Sequence, residues 1–258
     1  MALAITRAVS PSLARCELTH LSRQPIDIEL AKQQHHAYEA ALIKLGCQIQ
    51  RLPAEPDLPD SVFIEDAAIV LDEIAIITRP GAVSRRPETA RVARALQLHR
   101  TLVTIEAPGT VDGGDVLHVG RDVYIGLSSR SNAQAAEQMQ SILSPIGYRV
   151  HMIKVDGFLH LKSAVTLLAK ETLLINPAWV DPAIFGRMGI VEVDPSEPYG
   201  ANALWIGGGV IYPASLPRTS KRIRKVLEGL EMTLVGVDVS ELQKAEGAVT
   251  CCSLILRT

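Results

Sequence analysis

A chain of 258 residues, 47% hydrophobic, 4% aromatic and with a formal net charge of -2, holds enough apolar material for one large core. That near-neutral balance excludes the broad basic surface that nucleic acid demands, and Lys221, Arg222, Arg224 and Lys225 read as the solvated face of a helix. No apolar run approaches membrane-spanning length, no secretory leader is recognisable and no Gly-, Ser- or Pro-rich linker divides the chain, so the expectation is one cytoplasmic domain over residues 1–258.

In chain order, Leu3 to Arg7 reads as a strand, Asp27 to Leu45 as a helix and Gln48 to Leu52 as a further strand. Four hairpins follow one plan: Ala67 to Thr78 turning at Asp72 and Glu73, Val116 to Leu127 turning at Gly120 to Asp122, Ala164 to Ile175 turning at Lys170 and Glu171, and Ala203 to Tyr212 turning at Gly207 to Gly209. After each comes a segment of helical spacing (Glu88 to His99, Asn132 to Leu143, Pro182 to Met188, Ser220 to Leu227), with Asn132 and Ser220 as N-caps. A strand then closes each unit, at Leu102 to Ile105, Arg149 to Val155, Ile190 to Val193 and Met232 to Val237. Ser253 to Leu256 is left as a lone final strand, which can pair with the unmatched first strand and close a ring of five ββαβ units without exposed sheet edges. The alternative is an open α/β sheet without symmetry.

A polar residue recurs just ahead of each unit's first strand, about 45 residues apart: Asp66, Asp112, His160, Asn202 and Cys251. In a closed ring these positions converge on the axis, bringing a thiol, an imidazole and carboxylates together, the parts of a nucleophilic site. Taken alone, a cysteine in an apolar strand is a buried structural thiol and a histidine between Leu159 and Leu161 a core residue; the shared register is what singles out Cys251 and His160. Strand alternation over Val249 to Leu256 puts Cys251 and Cys252 on opposite faces, so only one thiol faces the axis. Cys16 and Cys47 are isolated, which fits a reducing compartment. The turn-rich GTVDGGD at 109–115 reads as a loop with left-handed glycines, or, more sharply, as the carrier of Asp112, an acid that orients His160.

Asp60, Glu65 and Asp66 in PDSVFIED crowd carboxylates beside the expected cavity, which suits a planar guanidinium. Arg85 and Arg130 follow the first two hairpins and can bind a carboxylate at the other end of the same ligand, selecting an amino acid such as arginine; surface salt bridging is the bland alternative.

ELTHL at 17–21, PDSVFIED at 59–66, ITRPGAVSRR at 77–86, GTVDGGDV at 109–116, GLSSRSN at 126–132, HLKS at 160–163 and TCCS at 250–253 together resemble the dimethylarginine dimethylaminohydrolases of the guanidine-modifying amidinotransferase superfamily, nearly end to end. The resemblance implies a five-bladed α/β propeller. It also implies hydrolysis of Nω-methylated arginine to citrulline, with Cys251 as nucleophile, His160 as general acid and base and Asp112 as the accompanying acid. Asp60, Glu65, Asp66, Arg85 and Arg130 match substrate-binding positions, Leu18 a mobile lid, and the Ala245 carbonyl a holder of the substrate α-amino group. Two departures stand out: the acid, Glu in some relatives, is Asp112 here, and Ala245, Glu246 and Gly247 stand where many relatives have a β-branched residue, Asp and Gly, so the first two positions differ. No cofactor is needed, although a thiol beside an imidazole at Cys251 and His160 can take up inhibitory zinc. The partner expected is a small molecule, the assembly a monomer or homodimer. Three rivals stay open: an arginine deiminase, although those usually carry an added helical domain; a non-catalytic methylarginine-binding protein; and a cysteine amidase or peptidase, for which an anionic pocket is ill suited.

Overall fold

The computed structural model describes residues 2–257, and its strands fall into five three-stranded sheets of one pattern. In each sheet the inner and middle strands are antiparallel and the middle and outer strands parallel: β3 (Ala68–Val70), β4 (Ile74–Ile77) and β5 (Thr101–Thr104); β6 (Val116–Val119), β7 (Asp122–Leu127) and β8 (Arg149–Lys154); β9 (Val165–Ala169), β10 (Thr172–Ile175) and β11 (Gly189–Glu192); β12 (Leu204–Ile206), β13 (Gly209–Pro213) and β14 (Thr233–Val237). The fifth sheet joins the two ends of the chain. β15 (Ser253–Arg257) runs antiparallel to β1 (Ala2–Arg7), with Leu3 opposite Leu256, and β1 runs parallel to β2 (Cys47–Leu52).

The inner strands β15 and β3, β6 and β9, and β9 and β12 meet around the axis, so the sheets are the blades of a five-bladed α/β propeller. Separate apolar clusters fill the wedges between blades and their helices. Ile69, Ile76, Val123 and Met139 share one such cluster, and Leu173, Val165, Leu117 and Phe185 another. The hairpins form where an apolar run is broken by a short polar turn, and the middle strands are apolar almost throughout because both of their faces are buried.

Helices cross the outer strands. In α1 (Ile28–Lys44) the Asp27 side chain accepts from the Glu29 and Leu30 N–H groups, and in α3 (Ala133–Leu143) the expected cap Asn132 accepts from Ala135 N–H. α2 (Thr89–Leu96) follows a 3-10 turn, Val83–Glu88, that contains Pro87, and it ends three residues short of His99. Two expectations change. The fourth helix, α5, spans Pro217–Gly229, not Ser220 onward: Pro217 at its first turn needs no N–H partner, which sets the start three residues earlier. Pro182 to Met188 holds only a 3-10 turn, Pro182–Phe185, ended by Gly186 at φ 63°. The short α4 (Leu161–Ala164) and α6 (Ser240–Gln243) flank the axis.

Candidate active site

All five register positions lie ahead of their inner strands, and four meet at one end of the axis. Ile64–Ala67 is a 3-10 turn; at three residues per turn, neighbours diverge by roughly 120°, so Glu65 and Asp66 point to opposite sides. Asp66 faces a cavity lined also by Cys251, His160, Asp60, Phe63, Arg85, Arg130, Ala245 and Glu246. Glu65 faces away. Its carboxylate accepts from Lys162 Nζ at 2.6 Å and Thr250 Oγ1 at 2.8 Å, beneath the nucleophile turn, and its N–H donates to the Cys251 carbonyl at 3.1 Å. It thus lies in the floor of the site, beneath the nucleophile turn and outside the lining of the cavity that Asp66 faces.

Asp66 Oδ1 accepts from Gly114 N–H at 2.9 Å and Oδ2 from Arg85 Nη1 at 2.7 Å. Burial opposes its charge, but His160 and Arg85 outweigh that and hold its carboxyl down to about 2. His160 sits at 6% exposure with Nε2 3.2 Å from Asp112 Oδ2. Burial disfavours the imidazolium; Asp66, Asp115 and the Asp112 hydrogen bond overcome it and raise the ring to about 9, so His160 is protonated at neutral pH.

Asp112 is fully buried and takes Gly81 N–H at 2.9 Å on its other oxygen. It therefore holds His160 from behind, as an acid that orients the ring, and does not line the cavity. Gly113 and Gly114 are not left-handed: a Cβ on Gly113 would stand 2.0 Å from the Glu65 carbonyl oxygen and one on Gly114 2.5 Å from His160 Nδ1, so both glycines supply room.

Cys251 lies in a turn ahead of β15, outside the strand from which alternation was reckoned, yet the two thiols still part: Cys252 is packed in the core with Sγ against the Ala248 carbonyl, and Cys251 faces the cavity. Burial first, then Glu65 and Asp66, pushes the Cys251 thiol far above its ordinary range. Asn202 braces this turn, accepting from Thr250 N–H at 3.1 Å and donating to Thr250 Oγ1 at 3.0 Å.

Asp60, 4% exposed, is raised by burial against the pull of Arg85, and its carboxylate accepts from Glu17 N–H at 3.1 Å. Arg85 is buried and spends most of its donors inside the protein, on Asp66, on both oxygens of Glu88 and on the Asp60 and Phe63 carbonyls. Arg130 is less committed, with Nη2 on Thr19 Oγ1 at 2.9 Å. Leu18 is half-buried on the 17–21 segment over the mouth, and Ala245 lines the cavity together with Phe63.

Sequence reasoning missed Asp115, Glu17 and Glu246. Asp115 is fully buried, accepts from Ser128 Oγ, Ser131 Oγ and Leu161 N–H, and so fixes the turn that carries His160; the second acid of the DGGD run was its signal.

Among the described residues, Asp66, Asp112 and His160 bring their ligand atoms within 4.8 Å of one another, a spacing open to a metal ion. Their chemistry fits one poorly, since His160 is held protonated and the carboxylates already bind Arg85, Gly114 and Gly81. Cys251 is not in that set. A larger hollow of about 190 Å³ lies beyond the Glu65–Lys162 pair, bounded by Asp72, His118, Trp205 and Arg257, and touches neither His160 nor Cys251. The chemistry belongs to the smaller cavity, of about 20 Å³.

A family model described as N,N dimethylarginine dimethylhydrolase, eukaryotic, matches residues 17–180. The chain is 40% identical to the N(G),N(G)-dimethylarginine dimethylaminohydrolase of Streptomyces coelicolor, covering 98% of this chain and 96% of that one, and 39% identical to the Pseudomonas aeruginosa enzyme of the same name, covering 92% and 91%. A solved structure of a cysteine-to-serine mutant of the Pseudomonas aeruginosa protein, complexed with citrulline, superposes with a TM-score of 0.92 at 38% identity over 98% of both chains. The N-terminal domain of a cyanobacterial arginine dihydrolase shares the fold, with a TM-score of 0.87 at 18% identity over 99% of this chain and 97% of that one. With the propeller, the converging thiol and imidazole and these likenesses in hand, the chain belongs to the dimethylarginine dimethylaminohydrolase family of the amidinotransferase superfamily.

Proposed function

We propose that this protein hydrolyses Nω,Nω-dimethyl-L-arginine, and Nω-monomethyl-L-arginine, to L-citrulline and dimethylamine or methylamine through a covalent adduct on Cys251. The observation that carries this reading is the convergence, in one cavity beside Asp60 and Asp66, of the Cys251 thiol and the His160 imidazole that Asp112 holds at 3.2 Å.

A guanidinium drawn to Asp66 supplies the positive charge that the thiol lacks, so Cys251 ionises when substrate binds and releases its proton to solvent. The substrate's ammonium group fits Asp60 and the Ala245 carbonyl, and its carboxylate fits Arg130, with Arg85 behind. The thiolate attacks the guanidinium carbon. His160 gives its proton to the dimethylamino nitrogen, the C–N bond breaks and dimethylamine leaves, while an S-alkylthiouronium stays on Cys251. Neutral His160 then takes a proton from water as the hydroxide adds to the same carbon. Collapse breaks the C–S bond, the hydroxyl proton passes to sulfur, and citrulline departs. Asp112 holds the ring in line through both steps.

Neither a metal nor an organic cofactor enters these steps. The partner is a small arginine derivative, the setting cytoplasmic and the assembly a monomer or homodimer; among the described residues no helix is long and apolar enough to cross a membrane. Trapping tests the reading: dimethylarginine quenched in acid should leave a thiouronium mass on the peptide carrying Cys251. An unmodified peptide alongside citrulline release would overturn the covalent route.

A further inference from the structure

Residues 17–27 form no helix or strand and are mostly exposed, yet they lie across the mouth of the site. The cavity beneath measures about 20 Å³, room for roughly one water and far too little for an amino acid. The segment as seen is closed, and substrate enters only when it lifts.

Three pocket side chains hold it down. Asp60 accepts from Glu17 N–H, Arg130 donates to Thr19 Oγ1, and the Glu246 carboxylate accepts from three successive backbone N–H groups, of Thr19 at 2.9 Å, His20 at 2.6 Å and Leu21 at 2.7 Å. Asp60 and Arg130 are also the groups that take the substrate's ammonium and carboxylate, so they cannot serve both partners fully. Glu246 has no such second duty.

The backbone at Glu246 adds a separate observation. α6 ends in a paired cap, with Glu246 N–H on the Gln243 carbonyl and Gly247 N–H on the Leu242 carbonyl, and the left-handed residue of that cap is Glu246 at φ 59°. Glycine is the unstrained choice there. The neighbouring Gly247 is required for another reason, because a Cβ on it would stand 2.2 Å from Phe63 Cε1. The far end of the segment is fixed from the same stretch, by Lys244 Nζ on the Pro25 carbonyl and Glu241 on Asp27 N–H.

We infer that Glu246 is a positioning residue, a substrate-independent latch whose carboxylate sets how often residues 17–21 lie closed over the cavity and thereby the apparent affinity for substrate. Its kinetic part rests on the function proposed above. Its structural part does not.

The test is Glu246→Gly with Glu246→Asp beside it. Glycine relieves the left-handed strain while removing the carboxylate, so the melting temperature should hold or rise. Amide exchange at residues 19–21, read by mass spectrometry on the substrate-free protein, should quicken by roughly tenfold or more as three charge-assisted bonds are lost. KM for dimethylarginine should rise roughly tenfold with kcat unchanged or higher, since substrate must then close the segment itself. Glu246→Asp, one methylene shorter, should fall between. Exchange within twofold of wild type in the glycine variant would overturn the latch. A fall in kcat at constant KM, or quickened exchange with unchanged kinetics, would overturn the positioning role. If the wild type fails to turn over dimethylarginine, the functional reading falls and the exchange result alone decides the latch.

Discussion

Gly114→Ala puts the geometry of the general acid under direct strain. The added Cβ would lie 2.5 Å from His160 Nδ1 and 2.9 Å from its Cγ, where ordinary contact begins near 3.4 Å, so the ring must withdraw by about 0.9 Å. It cannot do so and keep its 3.2 Å bond to Asp112, because Asp112 is itself pinned by Gly81 N–H. Backbone strain plays no part, as Gly114 is not left-handed. A misplacement of this order costs on the order of a hundredfold in rate, about 2.7 kcal/mol of transition-state stabilisation. Overpacking adds about 1–3 kcal/mol of lost stability. The assay is citrulline release under saturating dimethylarginine, with melting temperatures measured in parallel. Gly229→Ala, where a Cβ meets nothing within 4 Å, is the neutral control. A Gly114→Ala enzyme that keeps kcat within threefold of wild type would refute the placement of His160.

Protonation of His160 should be visible in stability. Its folded value of about 9 lies above the ordinary 6.5, so its contribution is complete below pH 6.5 and lost as pH rises through 9. The loss is on the order of 3 kcal/mol, and the melting temperature of wild type should fall across that window while that of His160→Gln stays flatter; parallel curves would count against a buried imidazolium. Lys162→Met leaves Glu65 charged and unpaired beneath the nucleophile, so the pH profile of Cys251 alkylation should move upward and stability drop by roughly 3–5 kcal/mol; an unshifted profile would remove Glu65 from the control of the thiol. Zinc should inhibit, and EDTA restore, a wild-type enzyme but leave methylarginine binding to Cys251→Ser unaffected; equal zinc sensitivity of binding in both would place the ion elsewhere, with Asp66, Asp112 and His160 as its candidate ligands.

The propeller was legible because hairpin periodicity and turn residues are local, and five similar units leave few ways to bury both faces of every inner strand. The register of Asp66, Asp112, His160 and Cys251 was legible for the same reason. What escaped is what backbone detail decides. Glu65 and Asp66 are adjacent in sequence but diverge because the chain makes a 3-10 turn there, and no periodicity announces so short a turn. Gly113 and Gly114 serve by having no side chain and not by a left-handed backbone, letting the Asp112 loop sink against Glu65 and the imidazole. Asp115 and Glu246 accept from backbone N–H groups and Glu17 donates its own to Asp60, and bonds made with main chain leave no trace in side-chain pattern. Ser220 looked like a cap because serine caps often; Pro217 decided the matter through the conformation it cannot avoid.

The most direct test of the central claim is citrulline release from asymmetric dimethylarginine and from arginine by the wild-type protein and by Cys251→Ser, with EDTA present. Release from dimethylarginine that vanishes in the serine variant is the predicted result. Release from arginine alone, or release that survives the loss of the thiol, would contradict the account.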